Sequence, residues 1–221
     1  MSEYIFITGD SFCASRKTNE DWPKVTANNL GLQLEGTGFS GMSWWPCKTL
    51  LDRYKNSTKF KNTEYFVIIH TGLNRPLGYT DFYNGGGWNP ENDNYEEYKI
   101  YVKYFYNLDF HLWCTEQWCK ELNQILLGKK VIHFKSFHAP ENMFPNYFAV
   151  YNTLNGIIIN ETLLSFTDHQ KFGFTKYFQY GKNHFSPEVN KWFGNKVSEL
   201  FNNYDSICQG QNVWYHMGYA K

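Results

Sequence analysis

The chain has 221 residues, enough for one domain with a sizeable core, and its 21 basic and 21 acidic side chains cancel. A neutral chain gives no electrostatic case for nucleic acid or an anionic membrane, and no apolar run approaches the roughly 20 residues of a membrane span. The opening Met-Ser-Glu-Tyr lacks the basic and apolar regions of a signal peptide, which reads as a cytoplasmic chain.

Strand and helix signals alternate. Tyr4-Ile5-Phe6-Ile7-Thr8 is rich in β-branched and aromatic side chains and reads as a buried first strand. Gly9-Asp10-Ser11-Phe12 follows it directly, so a serine sits where the strand has just ended. Asn19 to Pro23 offers polar caps and a proline suited to a first helical turn, predicting a helix to about Asn29 that stops at Gly31. Leu32 to Glu35 is a short strand, and Ser43 through Tyr54 a second helix with Pro46 near its start. Tyr65 to His70 is the clearest central strand.

Pro76 to Asn94 breaks the pattern with four glycines and two prolines, and reads as a long loop. A helical stretch from Tyr95 to Leu127 ends at Gly128. Lys130 to Lys135 reads as a strand, followed by a loop holding Pro140 and Pro145. Gly156 to Phe166 reads as a further short strand or a strand-like loop, and Pro187 opens a last helix, Glu188 to Asn202. With no internal repeat or linker, the pattern predicts a single domain over 1–221. Strands separated by helices imply a parallel sheet covered on both faces, a three-layer α/β sandwich of flavodoxin-like order.

Five cysteines, Cys13, Cys47, Cys114, Cys119 and Cys208, are an odd number without finger-like spacing, and read as free thiols in a reducing compartment. His111, His133 and His138 share no metal-ligand spacing, so no metal is assigned. His70, at the end of an apolar strand, reads as a satisfied core histidine. Asp10 reads as a hydrogen-bond acceptor for the turn. Aromatic residues are 20% of the chain. They can fill a core, or stack on the apolar faces of sugars. The run from Tyr95 to Trp118 reads as a packed helix face.

Four segments meet above the carboxyl edge of such a sheet, where ligands of open α/β folds bind. They are Gly9-Asp10-Ser11-Phe12, the Gly36 to Ser43 run with its Ser40-Gly41 turn, Gly72-Leu73-Asn74, and Asn183-His184-Phe185-Ser186-Pro187. In this order and context they resemble the SGNH, or GDSL-type, hydrolase family. The resemblance implies a cofactor-free serine esterase with Ser11 as nucleophile and His184 as its base. The N–H groups of Ser11 and Gly41 and the side-chain amide of Asn74 would form the oxyanion hole. It implies a small ester substrate, and the neutral charge and many aromatic rings favour an O-acetyl group on a carbohydrate.

Two positions depart from the family pattern. Gly181 stands where an aspartate usually orients the histidine, and Arg75 where an aspartate usually follows the asparagine. A backbone carbonyl, or a carboxylate from elsewhere such as Asp168, could replace that partner of the imidazole, or Ser11 and His184 could act as a dyad. The alternative is a catalytically impaired member that binds glycans or serves as a structural module. Similarity to SGNH-like proteins of tailed phages would place that module on a virus particle.

Overall fold

The structure, a computed structural model, describes residues 2–14, 19–39, 43–71, 96, 100, 103–104, 107–136, 149–163, 185 and 187–218. Among the described residues seven strands form one sheet: β1 Tyr4–Asp10, β2 Gln33–Glu35, β3 Gly38–Phe39, β4 Thr63–His70, β5 Lys130–Lys135, β6 Ile157–Thr162 and β7 Val213–Tyr215. Their order is β2-β1-β4-β5-β6-β7, with β3 added beside the end of β1, and every strand pair among the described residues is parallel. This is the expected flavodoxin-like order. The chain builds outward on one side of β1, then crosses to β4 on the other, so the topological switch lies between those two strands.

Helices cover both faces. On one side lie α1 Trp22–Leu30, α5 Pro187–Asn202 and α6 Tyr204–Cys208; on the other lie α2 Trp45–Lys55, α3 Thr58–Lys61 and α4 Leu108–Ile125. The strands read as continuous apolar runs because alternate residues enter different cores. Ile5, Ile7, Val67, Ile69, Ile132 and Phe134 face the first group. Phe6, Phe66, Ile68, Val131 and Ile158 face the second. Burying each such side chain contributes about 1.5–3 kcal/mol.

Local rules place the elements near the site. Pro23 sits in the first turn of α1, and Gly31 ends the helix at φ +68° with its N–H on the Ala27 and Asn28 carbonyls. α1 then packs on α5 at Gly194, where a Cβ would lie 2.6 Å from Val25 Cβ and 2.9 Å from the Trp22 carbonyl oxygen. Only glycine permits that approach.

The expected helix from Tyr95 to Leu127 is interrupted. Asn107 leaves the helical region (φ −126°, ψ 113°) and its Oδ1 accepts the Phe110 N–H at 2.9 Å, which starts α4 afresh. Glu96, Ile100, Lys103 and Tyr104 are helical upstream of that break. Nor is the aromatic run wholly packed: Trp118 is buried, whereas Phe110 and Trp113 are 52% and 56% exposed. The loops expected at 76–94 and around Pro140 and Pro145 lie outside the described residues. No helix among the described residues is long and apolar enough to cross a membrane.

Candidate active site

The site is built from the end of β1. At Gly9 a Cβ would sit 2.3 Å from Ile69 Cβ, so only glycine lets β1 run this close to β4. Asp10 Oδ1 accepts the Phe12 N–H at 3.1 Å and starts a 3₁₀ turn, Ser11–Cys13, as expected of its role. Ser11, the first residue of that turn, is half-buried. Two thiols brace the strand end: Cys47 Sγ donates to the Gly9 carbonyl at 3.2 Å and Cys13 Sγ to the Asp10 carbonyl at 3.5 Å.

β3 lies against this turn, with Gly9 opposite Gly38 and Asp10 opposite Phe39. A Cβ at Gly38 would lie 2.2 Å from the Asp10 carbonyl oxygen and 2.6 Å from the Ala14 nitrogen. The glycine-rich segment after β2 therefore touches the serine turn, backbone to backbone. Ser40, Gly41 and Met42 follow immediately and lie outside the described residues, as do Gly72 to Arg75 with Asn74, and Asp168 and Gly181 to His184. Of the four candidate site residues, Ser11 alone is described.

The flanks of the other segments are described. Thr71 follows β4, and Ser136 follows β5 with its N–H on the His70 carbonyl at 2.8 Å. Both hydroxyls are buried and have no hydrogen-bond partner among the described residues. Phe185, next to His184 in the chain, is 1% exposed. Its ring centroid lies 5.4 Å from that of Phe12 and 5.1 Å from that of Phe193. The residue after Ser11 thus touches the residue after His184, although the two are near opposite ends of the chain.

Hydrogen bonds reinforce that contact. The Trp22 indole N–H donates to the Phe12 carbonyl at 2.7 Å, and the Trp22 backbone N–H donates to Asn190 Oδ1 at 3.2 Å. Asn190 Nδ2 donates to the Phe185 carbonyl at 3.1 Å. Trp22 is 0% and Asn190 5% exposed. Sequence reasoning missed this pair; it used Trp22-Pro23 only as a helix start, and nothing in one sequence links residues 168 apart.

A second network lies behind the end of β4. His133 Nε2 is 3.0 Å from the Asn155 carbonyl and therefore carries the proton. Its Nδ1, 3.0 Å from His70 Nε2, is then the acceptor, and His70 donates. Burial holds His133 down to about 4 and His70 well below the ordinary imidazole range, with the nearby His133 and Lys135 adding to the effect on His70. The neutral, satisfied His70 matches its reading from sequence. Lys135 donates to the Asn160 carbonyl at 2.8 Å and sits 4.5 Å over the Trp214 ring; burial lowers its ammonium to about 8, against an opposing pull from Glu161.

All five cysteines are free, and no group of three metal-ligating side chains stands together among the described residues. A groove of about 310 Å³ lies elsewhere, between Lys196, Glu199 and Leu200 on α5, Asn203 just after it, and Tyr215 and Met217 at the β7 end. It contains none of the candidate residues.

No protein-family model matches the sequence, and comparison with curated proteins finds no match. Solved structures do match. A protein from Parabacteroides merdae described as a GDSL-like lipase superposes with a TM-score of 0.52 at 11% identity, over 90% of this chain and 96% of that one. A family two carbohydrate esterase from Clostridium thermocellum, solved with cellohexaose, matches at TM-score 0.49 and 11% identity, over 91% of this chain and 64% of its own. A protein from Desulfitobacterium hafniense described as a lipolytic protein of the G-D-S-L family matches at 0.45 and 12%, over 90% and 99%.

Proposed function

We propose that the protein, which has the α/β fold of the SGNH, GDSL-type hydrolases, is a serine esterase using Ser11 and His184. The observation that carries this reading is the Phe12–Phe185 contact with its Trp22–Asn190 bridge, since each aromatic residue is the covalent neighbour of one proposed catalytic residue.

In the first step Ser11 Oγ forms a bond to the ester carbonyl carbon while its proton passes to His184. The carbonyl electron pair becomes an oxyanion, received by the Ser11 and Gly41 N–H groups and the Asn74 amide. The oxyanion collapses, the C–O bond to the alcohol breaks, and the alcohol leaves with the proton from His184. Water then repeats the sequence on the acyl-serine. Each oxyanion donor is worth about 10²–10³ in rate. They need placement rather than charge, and Gly38, three residues before Gly41, lies against the backbone of Asp10 and Ala14.

An O-acetyl group on a carbohydrate is the substrate class favoured by a neutral chain whose exposed rings include Trp45, Phe110 and Trp113. The test is hydrolysis of p-nitrophenyl acetate by wild type and Ser11→Ala, with fluorophosphonate labelling of the same proteins. Burst kinetics and labelling that vanish in Ser11→Ala and in His184→Ala support the esterase. Equal background rates and no labelling would leave the second reading, a glycan-binding module, which Gly181 in place of the usual acid favours.

A further inference from the structure

We infer that Trp22 and Asn190 are positioning residues of this site, a two-residue clamp that holds the serine turn and the histidine segment in one frame; the inference rests on the esterase reading. Two carbonyls matter, those of Phe12 and Phe185, because each belongs to the residue after a proposed catalytic group. The Phe12 carbonyl is held by the Trp22 indole at 2.7 Å and the Phe185 carbonyl by Asn190 Nδ2 at 3.1 Å. The two holders are joined to each other through the Trp22 N–H and Asn190 Oδ1 at 3.2 Å. A continuous path of three hydrogen bonds therefore runs from one catalytic segment to the other.

The clamp is rigid for identifiable reasons. Trp22 packs edge-on against Phe193 at 5.0 Å and 83°, and its carbonyl accepts the Thr26 hydroxyl at 2.9 Å. That same hydroxyl lies 3.2 Å from the Gly194 carbonyl, which fixes α1 against α5 at their closest approach. Asn190 stands one turn into α5, so its amide reaches back to the chain entering the helix while its oxygen takes the first N–H of α1, a donor with no partner within its own helix. One amide thus satisfies a helix start and anchors the entry to α5. Neither residue is assigned a part in the chemistry itself. Their effect is on the relative placement of Ser11 and His184, where about 1 Å of error costs on the order of 10²-fold in rate.

The experiment uses the full chain with Trp22→Phe, which keeps an aromatic ring but deletes the indole donor, and Asn190→Leu, which deletes both amide bonds. Two readouts are taken below each variant's melting temperature: kcat and KM on p-nitrophenyl acetate, and the pH titration of the His184 imidazole by NMR, assigned with His184→Gln. The clamp predicts a fall in kcat of about 10–100-fold with KM within about twofold, and a shifted His184 titration, in both variants. A lowered melting temperature with wild-type kcat and an unmoved His184 titration would overturn it, because a purely structural pair behaves that way. If wild type itself neither hydrolyses the ester nor takes the fluorophosphonate, the esterase reading fails separately. The clamp then stands or falls on whether the His184 signals move. Should one variant not fold, the other decides.

Discussion

Gly38→Ala is the sharpest perturbation of the proposed site that leaves every catalytic candidate in place. The new methyl carbon would fall 2.2 Å from the Asp10 carbonyl oxygen, 2.6 Å from the Ala14 nitrogen and 2.8 Å from the Cys13 carbonyl carbon, where ordinary contact begins at 3.4 Å. All three atoms are backbone, so no side chain can rotate away. β3 and the serine turn must separate by about 1 Å, a displacement that costs on the order of 10²-fold in rate when it falls on catalytic groups. Overpacking of this kind also costs about 1–3 kcal/mol of stability. The control is Gly31→Ala. Its φ of +68° makes a side chain costly by about 1–2 kcal/mol, yet nothing lies within 4 Å of the new methyl. The assay pairs urea unfolding with p-nitrophenyl acetate hydrolysis. Both variants lose stability, but only Gly38→Ala loses rate beyond its loss of folded protein. Wild-type rate and stability in Gly38→Ala would refute the backbone contact between β3 and the nucleophile turn.

Acid weakens the fold through the histidine pair. His133 and His70 are neutral in the native state, whereas unfolded histidines titrate near 6.5. As pH falls from about 6.5 towards about 4 the unfolded chain binds protons the native chain refuses, so stability drops by up to about 1.4 kcal/mol per pH unit per histidine. Urea midpoints at pH 7.5, 6 and 5 flatten in His133→Gln; parallel slopes in the two proteins would contradict it. Tyr204→Phe removes the hydroxyl that accepts the Val131 N–H at 3.0 Å, at a cost of about 1–3 kcal/mol in unfolding and no change in hydrolysis. Ser136→Ala removes a buried hydroxyl with no partner among the described residues, and leaves stability equal or higher by about 1 kcal/mol in the same assay. A loss of more than that would mean the hydroxyl is bonded.

The central strands were legible because burial on both faces leaves a run that no helix period explains. Tyr65 to His70 was placed within β4, and Tyr4 to Thr8 within β1. Gly31 and Pro187 marked helix ends by rules that act within a few residues. What stayed hidden depends on distant partners. β3 is two residues long and exists only because Gly38 and Phe39 lie beside Gly9 and Asp10. β7 is three residues at the sheet edge, paired to β6. The break at Asn107 turns on a local capping choice inside an otherwise helical run. Within the site, motif order pointed to Ser11 in the turn that follows the switch-point strand. It carried no trace of Trp22 meeting Asn190, or of His70 meeting His133 across 63 residues.

The packing of α1 against α5 joins the first helix of the chain to one begun more than 150 residues later. A ribosome adding about 5–20 residues per second would therefore leave Trp22, Ala27 and the β1 side chains Ile5 and Ile7 without their final cover for on the order of ten to forty seconds. Synthesis halted before residue 184, or cleavage before it, would yield a product with an open apolar sheet face and without His184, the proposed base. Incomplete copies should be sticky and, on the proposed mechanism, inert as well, so that solubility and chemistry would be acquired in the same late event.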